Sequence, residues 1–293
     1  MTPTHYTFID TIGFRINCSS DIQQRDTLHN ILTYLQEEFC TYIDAVPYSV
    51  GFDTRMEYKI YCNNTTVLSF TTGYSNRSYY INIRFAGLKS YHILIDNVSN
   101  YYLHVIVSYL NFHQIGFKLS ELDVAIDVHH LPFENLLAIC TSKTSRTMYH
   151  ELDEVQRYDG ETTYIEKFTS AATLHTALKR AYLYNKTKKE VDTKGNNIDI
   201  PVVRFEVKLQ SSYFNKYGFD LNKLNETLNM YHLLYFYNMD EKYALIDKFN
   251  SYSVVRKREI NRMGLEQVRL HFNTSYIRDF IHALLSIKPY DFL

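Results

Sequence analysis

Strict alternation in three segments constrains this chain more than any other feature. In Glu121-Leu122-Asp123-Val124-Ala125-Ile126-Asp127-Val128 every even-numbered residue is apolar. Successive side chains of a β-strand point to opposite faces. Leu122, Val124, Ile126 and Val128 therefore face a core, and Asp123 and Asp127 share the other side. Arg180-Ala181-Tyr182-Leu183-Tyr184-Asn185-Lys186 puts Arg180, Tyr182, Tyr184 and Lys186 on its polar side. Val203-Arg204-Phe205-Glu206-Val207-Lys208-Leu209 does the same with Arg204, Glu206 and Lys208. Strands with one apolar side belong to an antiparallel sheet covered on one face.

The rest of the chain completes an α+β pattern. His5–Asn17 reads as a first strand. Over Asp21–Phe39, Leu28, Ile31, Leu32, Leu35 and Phe39 recur at helical spacing, with Ser20 or Asp21 placed to cap the start. Met56–Cys62, Val67–Thr72 and Ser78–Phe85 are strand-like, Val98–Gln114 is helical, and Lys118–Val128 is a strand. The second half adds strands at Thr162–Phe168, Arg180–Lys186 and Val202–Leu209, the last two joined by a turn-rich loop at Asp192–Asp199. From Leu221 the pattern is helical. The expected fold is a mostly antiparallel central sheet with helices on one face. It would occupy residues 1–215, with a boundary near Ser211–Asp220 and a smaller helical region over 216–293.

Charge and cysteine spacing narrow the function classes. The net charge of −1 excludes a polycation, but two windows differ from the rest. Lys179–Glu190 holds five Lys/Arg against one acid, and Arg256–Arg269 five against two. The first mixes cations with aromatics, which suits single-stranded nucleic acid. The second lies in a candidate helix, Val254–Leu270, whose pattern suits either a reader of duplex DNA or a plain surface helix. Cys18, Cys40, Cys62 and Cys140 contain no C-x-x-C, so no zinc or thioredoxin motif is present. Tyr101–Phe112 is too short an apolar stretch to span a bilayer, and Met1–Phe8 lacks the regions of a signal peptide. The expectation is a soluble cytoplasmic protein with reduced thiols and no membrane partner. There is no Gly-rich phosphate loop, G-x-S-x-G elbow or H-E-x-x-H helix. His129 and His130 are adjacent, so on a strand they point to opposite faces and cannot act as a pair.

If the three alternating strands are neighbours, one sheet face gathers three carboxylates, several cations and two phenols. Asp123, Asp127 and Glu206 are then candidate ligands for Mg²⁺ or Mn²⁺, which take oxygen donors. Two Asp on one strand repel, and Asp is depleted in strands, so a cation between them is the natural remedy. A phenol with a pKa of about 10 is a poor nucleophile at neutral pH. A nearby metal or Lys186 would favour its phenolate and stabilise charge in a phosphoryl transition state. Tyr182 and Tyr184 both have the right parity.

At the same residues the chain resembles a known family, the Rep-trans type of rolling-circle replication initiators of plasmids and phages. Leu122-Asp123-Val124-Ala125-Ile126-Asp127 is similar to that family's "R-L-D-L-A-x-D" strand. Tyr184-Asn185-Lys186 with Glu190 resembles its "R-I-Y-(N/D/E)-K-x-x-E" segment. Arg204-Phe205-Glu206-Val207-Lys208-Leu209 resembles its "W-R-x-E-(I/V)-x-L-(K/R)" strand. The resemblance covers about residues 5–215. It departs at Glu121, where the family has Arg, and at Tyr164-Ile165-Glu166-Lys167, which lacks the family's Gly.

The resemblance implies a metal-dependent enzyme that nicks one DNA strand at an origin and holds its 5′ phosphate on a tyrosine. It makes Tyr184 the nucleophile, with Tyr182 as the rival, and Asp123, Asp127 and Glu206 the metal carboxylates. Arg204, Lys186 and Lys208 become phosphate contacts or charge stabilisers, and beside them Arg180, Tyr182, Lys188 and Lys189 of the basic, aromatic window are the expected DNA contacts. It further implies single-stranded and origin duplex DNA as partners, a helicase and a homodimer. A relaxase of a mobile element uses the same chemistry. A regulator without turnover would have lost at least one of Asp123, Asp127, Tyr184 and Glu206, and all four are present.

Overall fold

A computed structural model describes residues 5–50, 53–62, 65–75, 77–88, 98–131, 133, 136–139, 150–151, 162–164, 178–194, 199–229, 233–236 and 267–287. The chain divides into two compact units, one of Phe8–Asp123 with Ser275–Leu293, the other of Met1–Thr7 with Val124–Thr274. The boundary expected near Ser211–Asp220 does not coincide with this division, which cuts a strand after Asp123.

The unit built on Phe8–Asp123 contains β1 (His5–Cys18, from Phe8 on), α1 (Asp21–Phe39), β2 (Asp44–Val50) and β3 (Asp53–Cys62). It continues with β4 (Thr65–Ser75), β5 (Ser78–Ala86), α2 (Val98–Phe112) and the start of β6 (Phe117–His129). The strands lie in the order β2-β3-β4-β5-β1-β6. Antiparallel register sets Ile12 opposite Phe85, Phe14 opposite Ile83 and Ile16 opposite Ile81. All six are buried, so alternate residues of β1 and β5 build one core layer. Sequence reasoning misses β2, whose Pro47 breaks a strand pattern. As the end strand in this order, β2 can hold a residue without an N–H.

Helix α1 begins and ends where its residues dictate. Ser20 Oγ accepts the Gln23 N–H at 3.1 Å, satisfying a donor that the first turn leaves open. Cys40 closes it in the left-handed region at φ 49°. Leu28, Ile31 and Leu35 are buried on one face, and Gln24 Nε2 donates to Gly73 O at 2.9 Å and to Tyr80 O at 2.6 Å. Gly73 is needed there because a Cβ would lie 2.2 Å from the Tyr80 ring. Helix α2 buries Leu103, Ile106 and Leu110 completely.

In the other unit β6 continues from Val124. After it come β7 (Leu136–Ile139), β8 (His150–Glu151), β9 (Thr162–Tyr164), β10 (Lys179–Asn185), α3 (Lys186–Lys194) and β11 (Val202–Leu209). α4 (Ser211–Tyr217), α5 (Leu221–Asn229), β12 (Leu233–Phe236) and β13 (Gln267–Arg269) complete it. One sheet runs β6-β11-β10-β9-β8 and a smaller one β13-β12-β7. Leu183 opposes Phe205 and Ala181 opposes Val207, and all four are buried. A final helix, α6 (Thr274–Leu285), buries Ile277, Phe280, Ile281 and Leu284 and belongs to the first unit from Ser275 on.

The architecture is the α+β class with a large antiparallel sheet that the alternation requires. Two local readings change. The strand expected over Arg180–Lys186 stops at Asn185, and Lys186–Lys194 is a helix where Asp192–Asp199 reads as the start of a loop. Asn185 is the cause: its Oδ1 accepts the Lys188 N–H at 3.0 Å, a helix-capping bond. Past Leu221, α5 and α6 are helical, whereas Leu233–Phe236 and Gln267–Arg269 are strands. Most of the basic window Arg256–Arg269, the segment Ile165–Phe168 and Cys140 lie outside the described residues. Among the described residues no helix is long and apolar enough to cross a membrane.

Candidate functional site

Strand pairing assembles the polar stripes residue by residue. β10 and β11 are antiparallel, with Arg180 opposite Lys208, Tyr182 opposite Glu206 and Tyr184 opposite Arg204. β6 is the next strand beyond β11. The phenols, the guanidinium, Glu206 and Asp127 therefore meet on one side of the sheet.

The contacts are specific. Arg204 donates from Nε to Asp127 Oδ1 at 2.6 Å and from an Nη to Oδ2 at 2.8 Å, the fork geometry that makes Arg–carboxylate pairs strong. Tyr182 donates its hydroxyl to Glu206 Oε1, and Tyr184 donates to Glu206 Oε2 at 3.3 Å. One carboxylate thus carries both phenols, whose rings stack with centroids 6.0 Å apart. The Lys189 ammonium lies over the Tyr184 ring, 4.5 Å from its centre. Arg204, Glu206 and Tyr184 are only 2%, 5% and 5% exposed, so this side of the sheet is a buried polar layer and not a solvated one.

Helix α3 places the lysines. It follows Tyr184 after a single residue, and Thr187 holds its first turn to the start of β11 by donating to Ile200 O at 3.2 Å and accepting from the Val202 N–H at 2.8 Å. Alternation predicts Lys186 beside the phenols on the strand face. It is instead the first residue of α3, and its ammonium donates to Glu190 one turn on, both groups buried. Lys188 and Lys189 are half-buried on the same helix.

Asp123 falls in the other unit. Its neighbour in charge there is Arg84, a residue that sequence reasoning misses although Tyr80, Asn82 and Arg84 share the polar parity of β5. Arg84 forms an ion pair with Glu121 at 3.2 Å and donates to Thr11 Oγ1 at 3.4 Å. Burial disfavours its charge, but the fields of Glu121 and Asp123, the hydrogen bond to Glu121 and the field of Asp10 outweigh this and hold its pKa above the ordinary value. Glu121, a departure from the family pattern, is thus the partner of a half-buried cation.

Among the described residues no three His, Cys, Asp or Glu side chains are gathered to hold a metal ion. Asp127 turns both oxygens to Arg204, and Glu206 turns its two oxygens to phenols. As they stand, Asp127 serves an ion pair and Glu206 holds two phenols. His130 ends β6 in the left-handed region at φ 61°, with its N–H on Pro201 O at 2.9 Å.

No protein-family model matches this chain, and no curated protein matches it.

Proposed function

We propose that this protein nicks and rejoins one DNA strand through a 5′-phosphotyrosine intermediate on Tyr184, the reaction that starts rolling-circle replication. The observation that carries this reading is the pair of phenols hydrogen-bonded to Glu206 and flanked by Arg204 and Lys189. A phenol attacks phosphorus well only where a base takes its proton and cations meet the charge that develops. Arg180 and Lys208 stand opposite each other on paired strands. Two cations so placed can contact successive phosphates of a single strand. The partners this reading implies are single-stranded and origin duplex DNA, with a helicase to extend the opened strand.

The test is covalent capture. The protein is incubated with random-sequence single-stranded oligonucleotides labelled on the 5′ side and on the 3′ side of each site in separate arms. Each arm is run with Mg²⁺, with Mn²⁺ and with a chelator. The expected product is a denaturant-resistant adduct carrying the segment whose 5′ phosphate is attached, together with a free 3′ hydroxyl. No adduct with any ion would leave a non-catalytic DNA binder as the better reading.

Binding has its own expected signature. Lys188 and Lys189 are the lysines to change, because removing Lys186 would leave Glu190 buried without that ion-pair partner. Replacing both by Ala should weaken single-strand binding. It should also flatten the plot of log affinity against log salt by about 0.7 for each phosphate no longer neutralised. An unchanged slope, read by fluorescence anisotropy at several salt concentrations, would show that the two lysines only solvate the helix.

A further inference from the structure

The two hydroxyls on Glu206 assign that residue a different part in the reaction from the metal ligation its position suggests. We propose that Glu206 is the proton acceptor for the attacking phenol, and that Tyr182 holds the carboxylate in place for it. The inference rests on the nicking reading above. Tyr182 donates to Oε1, which fixes the plane of the carboxylate from the facing residue of the neighbouring strand. Oε2 is thereby presented to the Tyr184 hydroxyl at 3.3 Å. That is loose for an O–H···O bond, as proton-transfer contacts often are before substrate binds. Glu206 is 5% exposed, so water competes little for the same oxygens.

The step balances without a further reactant. The Tyr184 O–H proton passes to Glu206 Oε2, and the phenolate oxygen forms a bond to phosphorus. The bond from phosphorus to the 3′ oxygen breaks, and that oxygen takes the proton back from the Glu206 carboxylic acid. Rejoining runs the same transfers in reverse. Lys189 over the Tyr184 ring is placed to meet the charge on phosphate, while Arg204, forked onto Asp127, holds the floor of the site.

The experiment compares Glu206→Gln on two backgrounds of the full chain. One has the natural Tyr184, and the other has a trifluorotyrosine at 184 by site-specific incorporation, whose phenol ionises near neutral pH without help. With the natural phenol, adduct formation should fall about 10²- to 10⁴-fold, the usual worth of a general base. With trifluorotyrosine the same substitution should cost less than about tenfold, because the proton is already gone. Glu206→Asp keeps a carboxylate and should retain more activity than Gln on the natural background. An equal loss on both backgrounds would make Glu206 structural and overturn the inference. So would a tenfold or larger rise in the Mn²⁺ needed for half-maximal adduct in Glu206→Gln, which would return the carboxylate to a metal. A wild-type protein that forms no adduct removes the nicking reading itself, and this inference with it.

Discussion

Tyr184→Phe is expected to abolish covalent capture while leaving the protein folded and able to bind DNA. The substitution removes one oxygen from a ring that is 5% exposed and otherwise keeps its packing under Lys189. The hydrogen bond removed is a long one, but its acceptor is a buried carboxylate, so the stability cost should be about 1–3 kcal/mol. Phenylalanine has no atom that can attack phosphorus. Loss of a nucleophile removes about 10⁴- to 10⁶-fold of rate, which puts the adduct below detection. Tyr182→Phe is the matched control on the same strand face, and it should slow capture without ending it. The opposite pattern, with adduct in Tyr184→Phe and none in Tyr182→Phe, would move the nucleophile to Tyr182. Peptide mapping of the wild-type adduct decides the same question independently.

The second large effect concerns stability. Arg204 is 2% exposed, and it is forked onto Asp127 by two hydrogen bonds. Replacing Arg204 by Met keeps a long side chain but leaves Asp127 facing an apolar group. Breaking a buried pair from one side costs about 3–5 kcal/mol, and the lower end of that range is expected here because the Asp127 side chain keeps 17% exposure. Urea unfolding of the single variant should show a loss of that size. The double variant with Asp127→Leu should recover most of it, since two apolar groups leave no stranded charge. A single-variant loss below about 1 kcal/mol would mean the pair is no tighter than one on an exposed surface. Activity of any Arg204 variant is interpretable only beside this measurement.

Alternation along the chain encodes some parts of this arrangement and leaves others open. Parity places Asp127, Arg204, Glu206, Tyr182 and Tyr184 on one side of their strands, and the strand order makes those sides coincide. It cannot give depth. Arg204 and Glu206 look like residues of a solvated face, yet both are buried, because burial depends on what covers a face and not on its own pattern. Register matters too: which oxygen of Glu206 meets which phenol is set by the offset of β10 against β11. Lys186 fails for a local reason. Two-residue spacing extends to it from Tyr184, but Asn185 caps a helix at that point, and Lys-Thr-Lys-Lys-Glu has no apolar stripe to reveal one. Arg84 fails because β5 draws attention to its apolar residues, Ile81, Ile83 and Phe85.

The junction at Asn185 joins two periodicities without an intervening loop. Upstream each residue reverses direction, and downstream each residue advances by about 100° around a helix axis. The Lys189 ammonium reaches the Tyr184 ring only because that angular phase is right at the end of five steps. Adding or deleting one residue between them would swing α3 by about 100° and carry the lysine away from the ring. The distance in sequence from Tyr184 to Lys189 is therefore a fixed length, set by the phase of a helix and not by the chemistry of the residues in between.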